Sequence, residues 1–216
     1  MTADVLVADG RPSGPRSRKG VETRARLVEA AKLIFEDHGF LEARISDIAE
    51  RAGLSHGSFY HYFESKEEVF LEVAVAQEDR LSVHSVVDSG LLDRSVHANV
   101  RERVRESNRR YLADYRDEAR IMGVIEEVSR YNDRVRKFRF ERFRHYCQRT
   151  ESAIRHLQAQ GLAETGLDAE IAAQALSAMV TRFAEMWFVQ DLLDCSFDEG
   201  VDQLTSLCIN ALRLKD

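Results

Sequence analysis

Proline is almost missing from this chain: Pro12 and Pro15 are the only two in 216 residues. Every residue after position 15 therefore keeps its backbone N–H, and no pyrrolidine ring clashes with a preceding turn, so helix is nowhere forbidden on that ground. Cysteine is scarce as well. Cys147, Cys195 and Cys208 are odd in number and widely spaced, with no CxxC pair and no histidine pair at metal-ligand intervals. That argues against a disulfide framework and fits a reduced, cytoplasmic setting. No run of about 18 apolar residues occurs, and the start MTADVLVADG has no basic stretch leading into an apolar core, so neither a membrane span nor a secretion signal is expected. The catalytic signatures GxxxxGK[ST], GxGxxG, GxSxG and HExxH are absent too. The chain is not expected to be an enzyme, and it calls for no cofactor and no metal.

What is present is an ordinary supply of core and surface. Apolar residues make up 44% of the chain and charged ones 31%, enough to bury a core and solvate the rest. The net charge is -6, but its distribution matters more than its total, because a polyanion responds to the local field. Residues 10–26 hold Arg11, Arg16, Arg18, Lys19, Arg24 and Arg26 against Glu22 alone, a local +5 that leaves -11 on the remainder. The N-terminus is the electropositive end, and residues 1–20, a mixture of Gly, Pro, Ser and Arg without periodicity, read as a flexible basic arm.

From Thr23 a helical period begins. Leu27, Ala31, Ile34 and Phe35 share one stripe, and Gly39 supplies a terminator, which predicts a helix over 23–38. Two short helices follow around a tight turn at Gly53, over 45–52 and 55–63. Ser65 with Glu68 makes a capping box that opens a long fourth helix. Five more amphipathic helices are expected at about 95–114, 117–130, 133–160, 168–193 and 198–213. Gly161 and Gly166 bracket one gap, Asp168 is a candidate cap, and Ser196 with Glu199 forms a second candidate box. The fold class is therefore all-α: an N-terminal three-helix helix–turn–helix domain over 21–66 and a larger helical bundle over 67–216, about nine helices in all.

Two short helices crossing at a glycine turn can set the second in the DNA major groove while the first braces on the backbone. Ile48, Ala49, Leu54, Phe59 and Phe63 are spaced to face inward, which leaves Ser55, His56, Gly57, Ser58, Tyr60, His61 and Tyr62 outward. Such groups can donate hydrogen bonds to phosphates and base edges or pack on thymine methyls, although His56 and His61 could equally be surface residues. At this point the segment from Thr23 to Val73 resembles the DNA-binding domain of the TetR family of transcriptional regulators, through LVEAAKLIFEDHGF, SDIAERAGLS and SFYHYFESKEEVF. The resemblance implies that Tyr60 and Tyr62 reach phosphates or adjacent bases, that Lys66 neutralises a phosphate, and that Ser46 stands where some members touch a base. Arg44 departs from the pattern, since a capping threonine is usual there; the arginine could grip a phosphate or enter the minor groove.

The resemblance also implies that the body is a ligand-sensing and dimerising domain, so that the expected partners are a palindromic double-stranded DNA operator, a small hydrophobic or amphipathic effector and a second copy of the chain. Ligand release of a repressor is the family's usual behaviour. The alternative for the body is a regulator without a small-molecule effector, controlled by a partner protein. For a twofold interface the candidates are Ile171, Ala172, Ala175, Leu176, Ala178, Met179 and Ala184, with Leu204, Leu207, Cys208, Ala211 and Leu212; the same stripes could be intrachain core. For a pocket they are Met122, Ile125, Phe143, Phe183 and Trp187, with Glu126 and Tyr146 as polar contributors, and Tyr131, Phe140, Met186, Phe188 and Glu127 behind them. The basic run from Arg134 to Arg144 reads either as a solvated helix face or as an anion-binding patch, for example for a CoA-type ligand.

Overall fold

The computed structural model describes residues 17–83 and 99–215. Among them lie nine helices and no strand: α1 (Arg18–Glu42), α2 (Ile45–Arg51), α3 (His56–Phe59), α4 (Lys66–Val83), α5 (Val100–Asp117), α6 (Ala119–Ser129), α7 (Asp133–Ala159), α8 (Ala169–Phe188) and α9 (Phe197–Leu212). The chain divides into two compact units between Val73 and Ala74, a point inside α4. The first turns of α4 belong to the first unit because Phe70 meets Phe35 edge-on at 5.0 Å and Phe40 at 4.9 Å.

In the first unit α1 starts earlier than periodicity suggests. The Ser17 hydroxyl accepts from the Gly20 amide, which draws residues 18–20 of the expected arm into helix; residues 1–16 lie outside the described part. Gly39 breaks the helical geometry at φ 71°, as a glycine terminator does, and the chain reaches Glu42 beyond the kink. α3 is shorter than the expected 55–63. After Phe59 the amides of His61 and Tyr62 bond three residues back, to Ser58 and Phe59, so the last turn tightens out of α geometry.

The corner between α1 and α2 has an unusual closure. Lys66 donates from Nζ to the carbonyls of Phe40 (2.7 Å), Leu41 (3.0 Å) and Ala43 (2.9 Å), and its ammonium also lies 4.7 Å from the Phe40 ring centroid. A lysine has three donors, and here all three satisfy carbonyls that a terminating helix leaves without partners. A second long-range tie holds the turn between α2 and α3, where Arg26 Nη2 donates to the Ala52 carbonyl at 3.0 Å.

In the second unit α7 packs along α8 and α5 along α9. The helix starts are set by side chains that accept backbone amides: Asn99, Asn132, Asp168 and Ser196. The loop after α7 is pinned to the C-terminal end by backbone bonds from Glu164 N to Leu212 O and from Lys215 N to Leu162 O. α8 stops five residues short of the expected 193 because Asp191 adopts a left-handed conformation at φ 52° and the Leu192 amide folds back on the Met186 carbonyl. Trp187 stacks on Phe188 at 4.5 Å and Phe197 at 6.0 Å, and a Cβ at Gly200 would fall inside its ring.

Two substitutions test these closures. Lys66→Met keeps the aliphatic stem but removes every donor, and should cost about 1–3 kcal/mol of unfolding free energy, because partly buried carbonyls lose their partners. Urea denaturation reads it, and a midpoint equal to wild type would mean that water replaces the ammonium at no cost. Gly200→Ala gains about 1 kcal/mol of helix propensity and loses roughly 1–3 kcal/mol to overpacking against Trp187. A lowered midpoint with shifted emission from the single tryptophan is expected; a raised midpoint would show that the ring moves aside freely.

Candidate nucleic-acid interface and effector cavity

The head is built so that one side of α2 and α3 is dry. Ile48, Ala49 and Phe59 have no solvent exposure and Phe63 almost none, while Arg24 lies over the Phe63 ring at 4.6 Å and pairs with Glu72. Gly53, at φ 68°, makes the turn between the helices, and its amide and that of Leu54 bond back to Glu50 and Ala49. Ser55 caps α3 through the Ser58 amide at 3.2 Å and shares a hydroxyl contact with Ser58 at 2.8 Å, so both serines are already engaged at the helix start.

The opposite side is open. His56, Gly57 and His61 are exposed, Ser58 and Tyr62 half-buried, and Tyr60 remains 50% accessible with the His56 ring against it at 5.3 Å. Arg44 precedes α2 without making a capping bond, and its exposed side chain stands beside Ser46, whose hydroxyl is turned to Asp47 at 2.9 Å. A Cβ built at Gly57 meets no atom within 4 Å. Nothing inside the protein requires a glycine there. Lys66, expected at a phosphate, instead spends its hydrogens on the three carbonyls described above.

The second unit encloses a cavity of about 310 Å3. Met122, Phe143 and Tyr146 line it, as do Phe140, the residues Arg136, Arg139 and Arg142 of the basic run read as a solvated face or an anion-binding patch, and several residues the sequence did not single out: Glu78, Leu81, Tyr111, Tyr115, Ser129, Thr181, His145 and Arg149. Ile125, Glu126, Phe183 and Trp187, expected in a pocket, do not line it. Ile125 is fully buried core, Phe183 and Trp187 pack edge to face, with Trp187 held over Gly200, and Glu126 pairs with Arg139 behind the wall. The spacing of the α7 residues, three or four apart, is what puts one helix face along the cavity.

Three phenols form a continuous wall. Tyr111 stacks with Tyr146 at 6.4 Å and meets Tyr115 at 6.0 Å. Burial pushes the pKa of all three upward, so they stay protonated. Three of the four lining arginines carry counter-charges of their own: Arg136 pairs with Asp133, Arg139 with Glu126, and Arg142 with Asp79 at 2.6 Å. Glu78 differs from them. Among the described residues its carboxylate takes part in no hydrogen bond or ion pair, and burial raises its pKa against the opposing fields of Arg139 and Arg142. No helix among the described residues is long and apolar enough to cross a membrane.

Residues 27–73 match the model of the bacterial regulatory proteins of the tetR family. The HTH-type transcriptional repressor AcnR of Corynebacterium efficiens is 34% identical over 76 residues, 35% of this chain and 39% of that protein. The chain thus aligns with about two fifths of the length of the curated relatives it matches first. Two solved structures share the fold of nearly the whole chain. One is a transcriptional regulator of Saccharomonospora viridis in complex with choline, with TM-score 0.71 and 24% identity, covering 88% of this chain and 96% of that one. The other is FadR of Bacillus subtilis in complex with stearoyl-CoA, with TM-score 0.69 and 16% identity, covering 87% and 98%. The head, over residues 27–73, is thus similar to the helix–turn–helix of the tetR family, and the chain as a whole shares the fold of solved regulators of that kind.

Proposed function

We propose that the protein is a DNA-binding transcriptional repressor, which binds a palindromic operator as a dimer and is released by a small hydrophobic or amphipathic effector held in the 310 Å3 cavity. The observation that carries the reading is the open face of the head: Tyr60, His56, His61 and an unconstrained Gly57 stand opposite the dry Phe59 and Phe63 side. Tyr60 packs on His56 and Phe59 yet keeps half its surface open, which a phosphate or base edge could engage. In this reading Tyr60, Tyr62, Arg44 and Ser46 touch DNA, and the serines at 55 and 58 set the helix start. Lys66 fixes the corner from which Arg44 projects.

Dimerisation is supported by a face with exposed apolar residues among the described residues. Ile171 is 71% exposed on α8 and Leu207 52% on α9, with exposed Ala175, Ala178 and Ala211 near them in sequence, small residues that permit close helix approach. Of the rest of the expected stripe, Ala184, Leu204, Cys208 and Leu212 are buried intrachain core, the last in a cluster with Ile154, Ala169 and Ala173, while Ala172, Leu176 and Met179 are half-buried. Effector coupling is assigned to α4. This helix contributes Lys66 and Phe70 to the head and Glu78 and Leu81 to the cavity wall, so a ligand that prefers one setting of α4 alters the spacing of two heads that must reach half-sites one DNA turn apart.

Selection of genomic fragments by the purified protein at physiological salt, followed by footprinting, tests the reading: a protected palindrome is expected, and no specific fragment would overturn it. Gly57→Ala sharpens the test, since the methyl enters open space in the free protein but the DNA side of the interface in the complex. Unchanged thermal stability with operator affinity reduced by about tenfold is expected; unchanged affinity would remove α3 from the interface.

A further inference from the structure

We infer that the cavity selects a cationic ligand, an aromatic or alkyl ammonium whose positive charge sits between the Glu78 carboxylate and the rings of Tyr111, Tyr115 and Tyr146. The inference rests on the reading of that cavity as the effector site and adds the chemical class. The fold neighbours do not choose it, since choline and stearoyl-CoA carry opposite charge.

The argument is one of electrostatic balance. Glu78 is half-buried, and a carboxylate partly withdrawn from water without a counter-charge carries a cost that a charge partner or protonation can meet. Arg139 and Arg142 are the cationic groups whose fields reach Glu78, and each already pairs with another carboxylate, Glu126 and Asp79. What Glu78 faces is therefore two neutralised pairs rather than two free cations. The same lining also holds Arg136, itself paired with Asp133, and Arg149 and His145, beside an aromatic wall of Tyr111 and Tyr146 stacked at 6.4 Å and Tyr115 at 6.0 Å from Tyr111. Ring faces attract a cation through their quadrupole, most strongly when water is excluded, and their phenols stay neutral and so leave the carboxylate as the anionic anchor. An anionic ligand would have to pull an arginine from its own partner while approaching Glu78. A cation can meet Glu78 without breaking any of those pairs.

Three isosteric or near-isosteric probes decide it: phenyltrimethylammonium, neutral tert-butylbenzene and the anion benzenesulfonate, titrated into the full-length protein by calorimetry up to the millimolar range. The ammonium should bind on the order of tenfold or more tighter than the neutral isostere. Glu78→Gln should erase that preference while leaving the neutral probe within about twofold, and Glu78→Asp should keep it. The free Glu78→Gln protein should melt at or above the wild-type temperature, because an unpaired half-buried charge has been removed; this also establishes that the variant folds. Equal or tighter binding of tert-butylbenzene or benzenesulfonate, or an unchanged preference in Glu78→Gln, overturns the inference. If those uncharged or anionic probes bind and Thr181→Phe blocks them, the effector cavity stands and only the charge assignment falls. If none of the three binds wild type, the effector reading and the inference fall together.

Discussion

Three carbonyl oxygens, of Phe40, Leu41 and Ala43, are gathered at one lysine ammonium, and the head depends on that gathering. α1 ends through a glycine kink, which leaves its last carbonyls without helical partners, while α2 begins only three residues later at Ile45 behind an arginine that does not cap it. Two weak helix ends in succession would ordinarily be closed by a side-chain cap or by water. Here the closure comes from the start of α4. The ammonium ties that helix to the α1 corner, and Phe70, one turn further along, stacks the same corner into the aromatic core. Once α1, α2 and α4 are fixed together, a four-residue α3 can hold its pose with little hydrogen bonding of its own, because Phe59 and Phe63 lock it from below.

The same logic, in which one long element sets the environment of a short or weak one, governs the cavity. α7 is rich in arginine, and a solvated arginine face would be unremarkable for a surface helix. Instead the face turns along a void, and acids from α6, α4 and α7 itself each take one guanidinium. Pairing of this kind lets a strongly basic helix border an aromatic chamber without making the chamber strongly positive. It also isolates Glu78, for which no arginine remains uncommitted among those whose fields reach it.

The parts that sequence reading recovers are those encoded locally. Gly39, Gly53, Ser65, Asp168 and Ser196 act within a few residues of themselves, and the helix limits they imply differ from the structure by a few residues at most ends. Where the ends differ, the cause is subtler chemistry: Asp191 taking a left-handed conformation that no glycine announces, or α3 tightening after Phe59. Cavity residues are another matter. Trp187 and Tyr111 are both aromatic residues on amphipathic helices, and only Gly200, thirteen residues further on in a different helix, makes the first a core residue. Tyr111 and Glu78 carried one available signal, that each would be a polar group on an inward stripe, but whether such a group has a partner is decided by tertiary pairing rather than by local sequence. The Lys66 closure was hidden for the same reason, its acceptors lying 23 to 26 residues away.

An unpaired carboxylate inside a helical bundle lowers stability in the free protein, and a sequence free to vary could replace it with glutamine of nearly equal size. Its presence is easier to understand if the free state is the one that must remain adjustable. Glu78 stands on α4, the helix whose earlier residues hold the head together, so the strain of an unmet charge is placed on the element assigned to carry ligand occupancy. A ligand that meets the charge stabilises one setting of that helix over another, and differential stabilisation is the only means by which binding can shift an equilibrium between two states. Local instability of this kind is what a switch element requires, whereas the paired arginines of α7 need only stay where they are.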